Sequence, residues 1–170
     1  MAEKYSKNEV IVRQAKREDM KLVAEMIQEL ADFEEMPEGP KLTVKDLERD
    51  CFELQPPAFQ CKVAEIVGDG RLAGYAIYFP TYSTWEGRSM MLEDLCVRTE
   101  YRRRGVGEKL FNTVRSRTAS VGSRLDFHVL EWNPARGFYE SKGAQNLTQL
   151  EQWCYYRLAG DKLRDLVDNC

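Results

Sequence analysis

The stretch Val97-Arg98-Thr99-Glu100-Tyr101-Arg102-Arg103-Arg104-Gly105-Val106-Gly107 combines residue types at a spacing that could do chemistry. It lies between an apolar, strand-like run and an amphipathic run that reads as a helix. Two glycines without Cβ atoms let the backbone turn sharply and bring successive N–H groups close to a ligand, and the following helix adds its positive N-terminal end. A diphosphate fits such a turn. Three arginines on their own would read as a solvated surface patch; strand, glycines and helix together favour anion binding. Other reactive types are sparse. His128, the single histidine, has no triad or metal partners in view and reads as a packed side chain. The five cysteines are an odd, scattered set with no Cys-x-x-Cys pair, which argues against a disulfide scaffold or a zinc site, and no metal is expected. With 25 basic against 28 acidic residues and a net charge of −3, no global field draws the protein onto nucleic acid or an anionic membrane. An anion must therefore be held locally.

The elements that position this turn follow from hydrophobic period. Val10 to Ala15 alternates as a first strand, and Asp19 to Met36 spaces Leu22, Val23, Met26, Ile27, Leu30 and Phe33 as a half-buried helix. Pro37, Gly39 and Pro40 break it, and Thr43 with Asp46 forms a capping-box pattern for a short helix through Leu47 to Phe52. Phe59 to Val67 and Leu72 to Phe79 read as strands joined through Gly68-Asp69-Gly70, followed by an irregular aromatic loop from Pro80 to Gly87. Ser89 to Val97 is a strand, Gly105 to Thr118 a helix, Arg124 to Leu130 a strand, Pro134 to Ser141 a helix, and Trp153 to Leu158 a last strand. Hairpins mixed with crossovers predict an α/β domain with a mixed sheet flanked by helices. A chain of 170 residues is expected to form one domain, and no apolar run approaches the roughly 18 residues of a membrane span. The first residues lack the features of a signal or transit peptide, so the expected compartment is the cytosol.

Arg102-x-x-Gly105-x-Gly107 after a strand resembles the acyl-CoA pyrophosphate loop of the GCN5-related N-acetyltransferases, and Trp132-Asn133 with Phe138-Tyr139-Glu140-Ser141-Lys142-Gly143-Ala144 resembles that family's next block. Glu29-Leu30-Ala31-Asp32-Phe33-Glu34, Tyr82 to Arg88, Leu92-Glu93-Asp94-Leu95 and Glu151-Gln152-Trp153 are similar to its spermidine/spermine and thialysine subgroup. The resemblance implies a single GNAT-type domain over residues 9–160, with a mostly antiparallel mixed sheet and terminal extensions at 1–8 and 161–170. It implies acetyl-CoA binding, with Leu95, Cys96 and Val97 pairing with the pantetheine and Arg102, Arg103, Arg104, Gly105, Val106 and Gly107 on the pyrophosphate. Asn133 and Tyr139 join the cofactor set, and a homodimer is implied as well.

Acetyl transfer to an amine needs a neutral nitrogen, whereas a lysine-like ammonium has a pKa near about 10.4, so a base must take a proton. The resemblance assigns that role to Glu93, acting through water, and the role of acid toward the departing thiolate to Tyr139. Neighbours in a strand point to opposite faces, so Glu93 and Asp94 share a site only if a bulge intervenes. Glu34, Ser83, Trp85, Glu93 and Asp94 match positions associated with the acceptor. Ser83 stands where polyamine-acetylating relatives carry aspartate, which favours thialysine or a lysine-like amine over spermidine or spermine; a catalytically weak acetyl-CoA-binding module is a further alternative. One departure is visible: Asn133 precedes Tyr139 by six positions where the subgroup usually has seven. Pro134 after Asn133 suits a helix start that absorbs the difference.

Overall fold

This structure, a computed structural model, describes residues 9–164. The chain forms two compact units, one ending at His128 and one beginning at Val129. The first holds the whole sheet: β1 (Val10–Gln14), β2 (Gln60–Ile66), β3 (Leu72–Ser83), β4 (Gly87–Val97) and β5 (Leu125–Phe127), in spatial order β1-β2-β3-β4-β5. Neighbours are antiparallel except β5, which runs parallel to β4. The sheet is therefore mixed and mostly antiparallel, as expected.

Helices α1 (Met20–Phe33) and α3 (Val106–Val121) cover opposite faces. Alternation along β3 explains this. Tyr75 and Ile77 pack in one buried cluster with Met20, Val23 and Met26 of α1. Gly74, of the opposite parity, faces the other way, where a Cβ would stand 3.3 Å from Leu110 of α3. Helix α1 stops at Phe33 instead of Met36 because Glu35 takes a left-handed conformation (φ 60°) and the Met36 N–H returns to the Ala31 carbonyl. It also starts one residue late, since Asp19 is buried as the acceptor for Arg13 and for the Lys16 N–H. Helix α2 (Val44–Glu48) carries the expected Thr43–Asp46 capping box and continues as a π-helical turn, Arg49–Glu53.

Three expectations need correction. The loop from Pro80 is in fact strand as far as Ser83, paired through Pro80–Met90, Thr81–Ser89, Tyr82–Arg88 and Ser83–Gly87. Proline is tolerated because pairing with β2 ends at Tyr78, leaving β3 one neighbour there. The strand expected over Arg124 to Leu130 shrinks to Leu125–Phe127, because its partner segment on β4 ends at Leu92. Trp153 to Leu158 forms no strand among the described residues. Gln152 turns the chain with φ 59°, and Trp153, Tyr155, Tyr156 and Leu158 stay mostly exposed. Apolar alternation favours a strand only where another strand can take its N–H and C=O groups. In this second unit the chain instead forms α4 (Ala135–Ser141), α5 (Leu147–Glu151), which the hydrophobic pattern did not signal, and α6 (Asp161–Arg164).

Candidate active site

A bulge in β4 organises the site. Ile77 pairs with Asp94 and the next residue, Tyr78, pairs with Leu92, so Glu93 is the extra residue with nothing opposite it. In a regular strand Asp94 would share a face with Leu92. The bulge shifts it onto the face of Tyr75, Ile77 and Cys96, toward α1. The Tyr75 hydroxyl donates to Asp94 Oδ2 at 3.0 Å. Burial pushes the Asp94 carboxyl up to about 6, against the Tyr75 hydrogen bond that favours its ionised form, and repulsion from Glu93 and Glu34 adds to the rise. Glu34, which caps the end of α1, is also raised by burial. Glu93 itself is exposed. Among the described residues these three carboxylates form no ion pair with the chain's own cations. An ammonium would offset their mutual repulsion.

The bulge also ends the pairing of β4 with β5, whose last pair is Leu92–Phe127. Beyond it, the Arg98 N–H turns to β3, donating to the Ala73 carbonyl. By alternation the N–H and C=O groups of Leu95 and Val97 face the opposite edge. There Arg102 Nε donates to the Val97 carbonyl at 2.8 Å. Leu95 and Val97 are thus placed to pair with an extended ligand, while Cys96 turns its backbone to β3 and its thiol, pushed up to about 11 by burial, into the core.

The glycine-containing turn before α3 follows. After a 3-10 turn at Thr99–Tyr101, Arg103 (φ 59°) and Gly105 (φ 77°) both take left-handed conformations, and α3 begins at Val106. A side chain at 105 would be strained by that backbone alone. Gly107 differs, since a Cβ there would meet only Val97 Cγ2 at 3.6 Å, an ordinary contact. Nothing in the chain itself requires glycine at 107. The arginines divide: the Arg102 guanidinium stands 5.3 Å from the Phe33 ring centre, Arg104 lies 6.0 Å from that of Tyr101, and Arg103 is exposed. A cleft of about 270 Å³ between Phe33, Glu29 and Asp32 of α1 and Cys96 to Thr99 and Arg102 ends at this turn.

Two residues of the expected set lie elsewhere. Ser83 and Trp85 sit at the tip of the β3–β4 hairpin, where the buried Ser83 Oγ accepts the N–H groups of Trp85 and Glu86, both at 3.2 Å, and Trp85 is 81% exposed. Ser83 lies six residue steps along the strand from Ile77, about 20 Å at about 3.3 Å per residue. One copy of the chain does not bring them to Asp94. In the second unit, Asn133 Oδ1 accepts from the Ala135 N–H at 2.9 Å, capping α4 as its position before Pro134 suggests, and Tyr139 is half-buried with its ring 5.2 Å from Phe138. Tyr75 escaped the sequence reading. Its signal was a phenol in the otherwise apolar run Leu72 to Ile77.

The model of the Acetyltransferase (GNAT) family matches residues 23–144, from within α1 through the bulge and the turn to just beyond α4. The chain belongs to the GNAT acetyltransferase family. Thialysine N-epsilon-acetyltransferase of Bos taurus is 37% identical to this GNAT chain over 166 residues, covering 93% of it and 97% of the relative. Spermidine/spermine N(1)-acetyltransferase-like protein 1 of Homo sapiens is 32% identical over 163 residues, which cover 92% of this chain but 23% of that protein. In fold, the chain is similar to the crystal structure of a probable acetyltransferase, with a TM-score of 0.69, 24% identity, and coverage of 88% of this chain and 97% of the other.

The raised carboxyl of Asp94 has a consequence for stability. Its folded value of about 6 exceeds the ordinary 3.8, so ionising it costs the folded state, in part above pH 4 and fully above pH 6. Asp94→Asn removes that cost, and denaturant titration should find the variant more stable than wild type by about 2 kcal/mol at pH 8, with no advantage at pH 4. Lower stability of the variant at pH 8 would contradict the environment described.

Proposed function

We propose that this GNAT protein transfers the acetyl group of acetyl-CoA to the side-chain amine of thialysine or a lysine-like small amine. The observation that carries this reading is the group of carboxylates Glu34, Glu93 and Asp94, without cation partners in the described chain, beside a β4 edge that leads to the Gly105 turn. Leu95 and Val97 pair with the pantetheine along that edge, with Cys96 keeping the strand in register. The backbone from Arg102 through Gly105 and Val106 holds the diphosphate; the missing Cβ at Gly107 lets phosphate approach the start of α3, and Asn133 and Tyr139 complete the donor set. Pairing at Val97 exchanges the bond from Arg102 for one from the ligand. Glu93 receives one proton of the ammonium through water, and the neutral amine nitrogen bonds to the acetyl carbon. As the C–S bond breaks, Tyr139 protonates the departing CoA thiolate and regains its proton, through solvent, from the second N–H that the nitrogen gives up on becoming an amide. We place the reaction in the cytosol, a reading supported by the four described cysteines, all free thiols.

The choice of acceptor rests on Ser83 and on relatives named thialysine N-epsilon-acetyltransferase in Bos taurus, Sus scrofa and Mus musculus. A neutral Ser83 supplies no charge for a second distant ammonium, so with acetyl-CoA as donor kcat/KM for thialysine should exceed that for spermidine. Competition kinetics favouring spermidine would support the polyamine reading, and acetyl-CoA affinity without any product would support a binding module. Tyr139→Phe should retain acetyl-CoA affinity by calorimetry while turnover falls roughly 10²- to 10⁴-fold; normal turnover would remove Tyr139 from the chemistry.

The distance of Ser83 and Trp85 from Asp94 within one copy supports a homodimer in which the hairpin tip of one protomer serves the acceptor site of its partner. Trp85→Ala and Asp94→Asn should each lose activity alone, and co-expressed as mixed dimers they should recover it. Absence of recovery, or sedimentation as a monomer at micromolar concentration, would overturn the shared site.

A further inference from the structure

Tyr75 has a fully buried side chain in the middle of β3, among Met20, Val23 and Met26 of α1 and Ile77 and Cys96 of the sheet. A phenol so placed must find a hydrogen-bond partner, and its hydroxyl donates to Asp94 Oδ2 at 3.0 Å. Phenylalanine would fill the same space. An apolar pair in place of two buried hydrogen-bonded groups is often neutral or stabilising, so packing does not explain why this strand directs the Tyr75 hydroxyl to a carboxylate. The carboxylate it holds is the one that the β4 bulge turned toward α1, and Oδ1 carries no hydrogen bond from the described chain. We propose that Tyr75 is a positioning residue for the acceptor: from inside the core it fixes Oδ2 of Asp94, keeps the carboxylate ionised at neutral pH and leaves Oδ1 to receive the ammonium.

This inference rests on the reading of Asp94 as an acceptor-binding group. Titratable groups within electrostatic reach of Asp94 are Glu93 beside it, Glu34 from α1, Cys61 from β2, Cys96 from β4 and Tyr75 itself. Both carboxylates, once ionised, oppose its charge, and both thiols are pushed up by burial and stay neutral near pH 7. Against desolvation and two negative neighbours, the Tyr75 hydroxyl is the group that favours the charged form. Without it the carboxyl would titrate higher, closer to neutral pH, where protonation would cancel its attraction for a cation.

Tyr75→Phe deletes the hydroxyl and keeps the ring. In substrate-free protein labelled with 13C at aspartate carboxyls, with Asp94→Asn assigning the resonance, the Asp94 midpoint should move up by about one pH unit in the variant. With thialysine as acceptor and acetyl-CoA saturating, KM should rise about fivefold over wild type at pH 6 and return close to the wild-type value at pH 8.5, with kcat changed less. An unmoved midpoint overturns the role of Tyr75 and leaves the acceptor reading standing. A loss of activity equal at both pH values also overturns it, because a purely structural defect has that form. A midpoint that moves while KM stays flat with pH removes Asp94 from acceptor binding, and the proposal with it.

Discussion

The extra residue in β4 is the constraint on which the site depends. Because side chains alternate with a period of two, inserting Glu93 between the Leu92–Tyr78 and Asp94–Ile77 pairs moves every later residue of β4 to the other face. Asp94 and Cys96 thereby join the α1 side, and the last β5 pair falls at Leu92. One irregularity thus places a carboxylate beside another and opens the β4 edge that carries Leu95 and Val97. A regular strand would have buried Asp94 against α3 and continued the ladder.

The surrounding core is what allows this placement. Helix α1 seals one face through Met20, Val23 and Met26, while α3 seals the other through Leu110, Phe111 and Val114, all buried. Two apolar layers of this kind can absorb the cost of holding a carboxyl in a site that raises its pKa to about 6. Glu34 belongs to the same balance, since the left-handed turn at Glu35 ends α1 there and leaves it near the bulge. Stability is reduced locally where a cation would be bound, a common arrangement at functional sites.

The turn before α3 follows a different logic. Its backbone conformation comes from Arg103 and Gly105, both left-handed, and is fixed by local geometry more than by packing. Arg102 ties it to the rest of the unit, bonded to Val97 on one side and placed against the Phe33 ring on the other. The end of α1, the edge of β4 and Arg102 of the turn therefore converge on one cleft.

The amino-acid sequence by itself determined what depends on neighbours along the chain. Leu22, Val23, Met26 and Ile27 announced α1, Thr43 and Asp46 announced the cap of α2, and Gly105 with Gly107 marked the turn, because period, capping and φ preferences are local properties. The ordered motifs also identified the family, through residues spread from Glu29 to Trp153. Only tertiary structure decided what depends on partners distant in sequence. Glu93-Asp94 reads the same whether the strand is regular or bulged, and its register against Ile77 and Tyr78 settles the matter. Trp153 to Leu158 alternates like a strand, yet a ladder needs a second chain segment that the pattern cannot supply. Tyr75 looked like core until its hydroxyl met Asp94, nineteen positions away, and that contact is set by the pairing of β3 with β4.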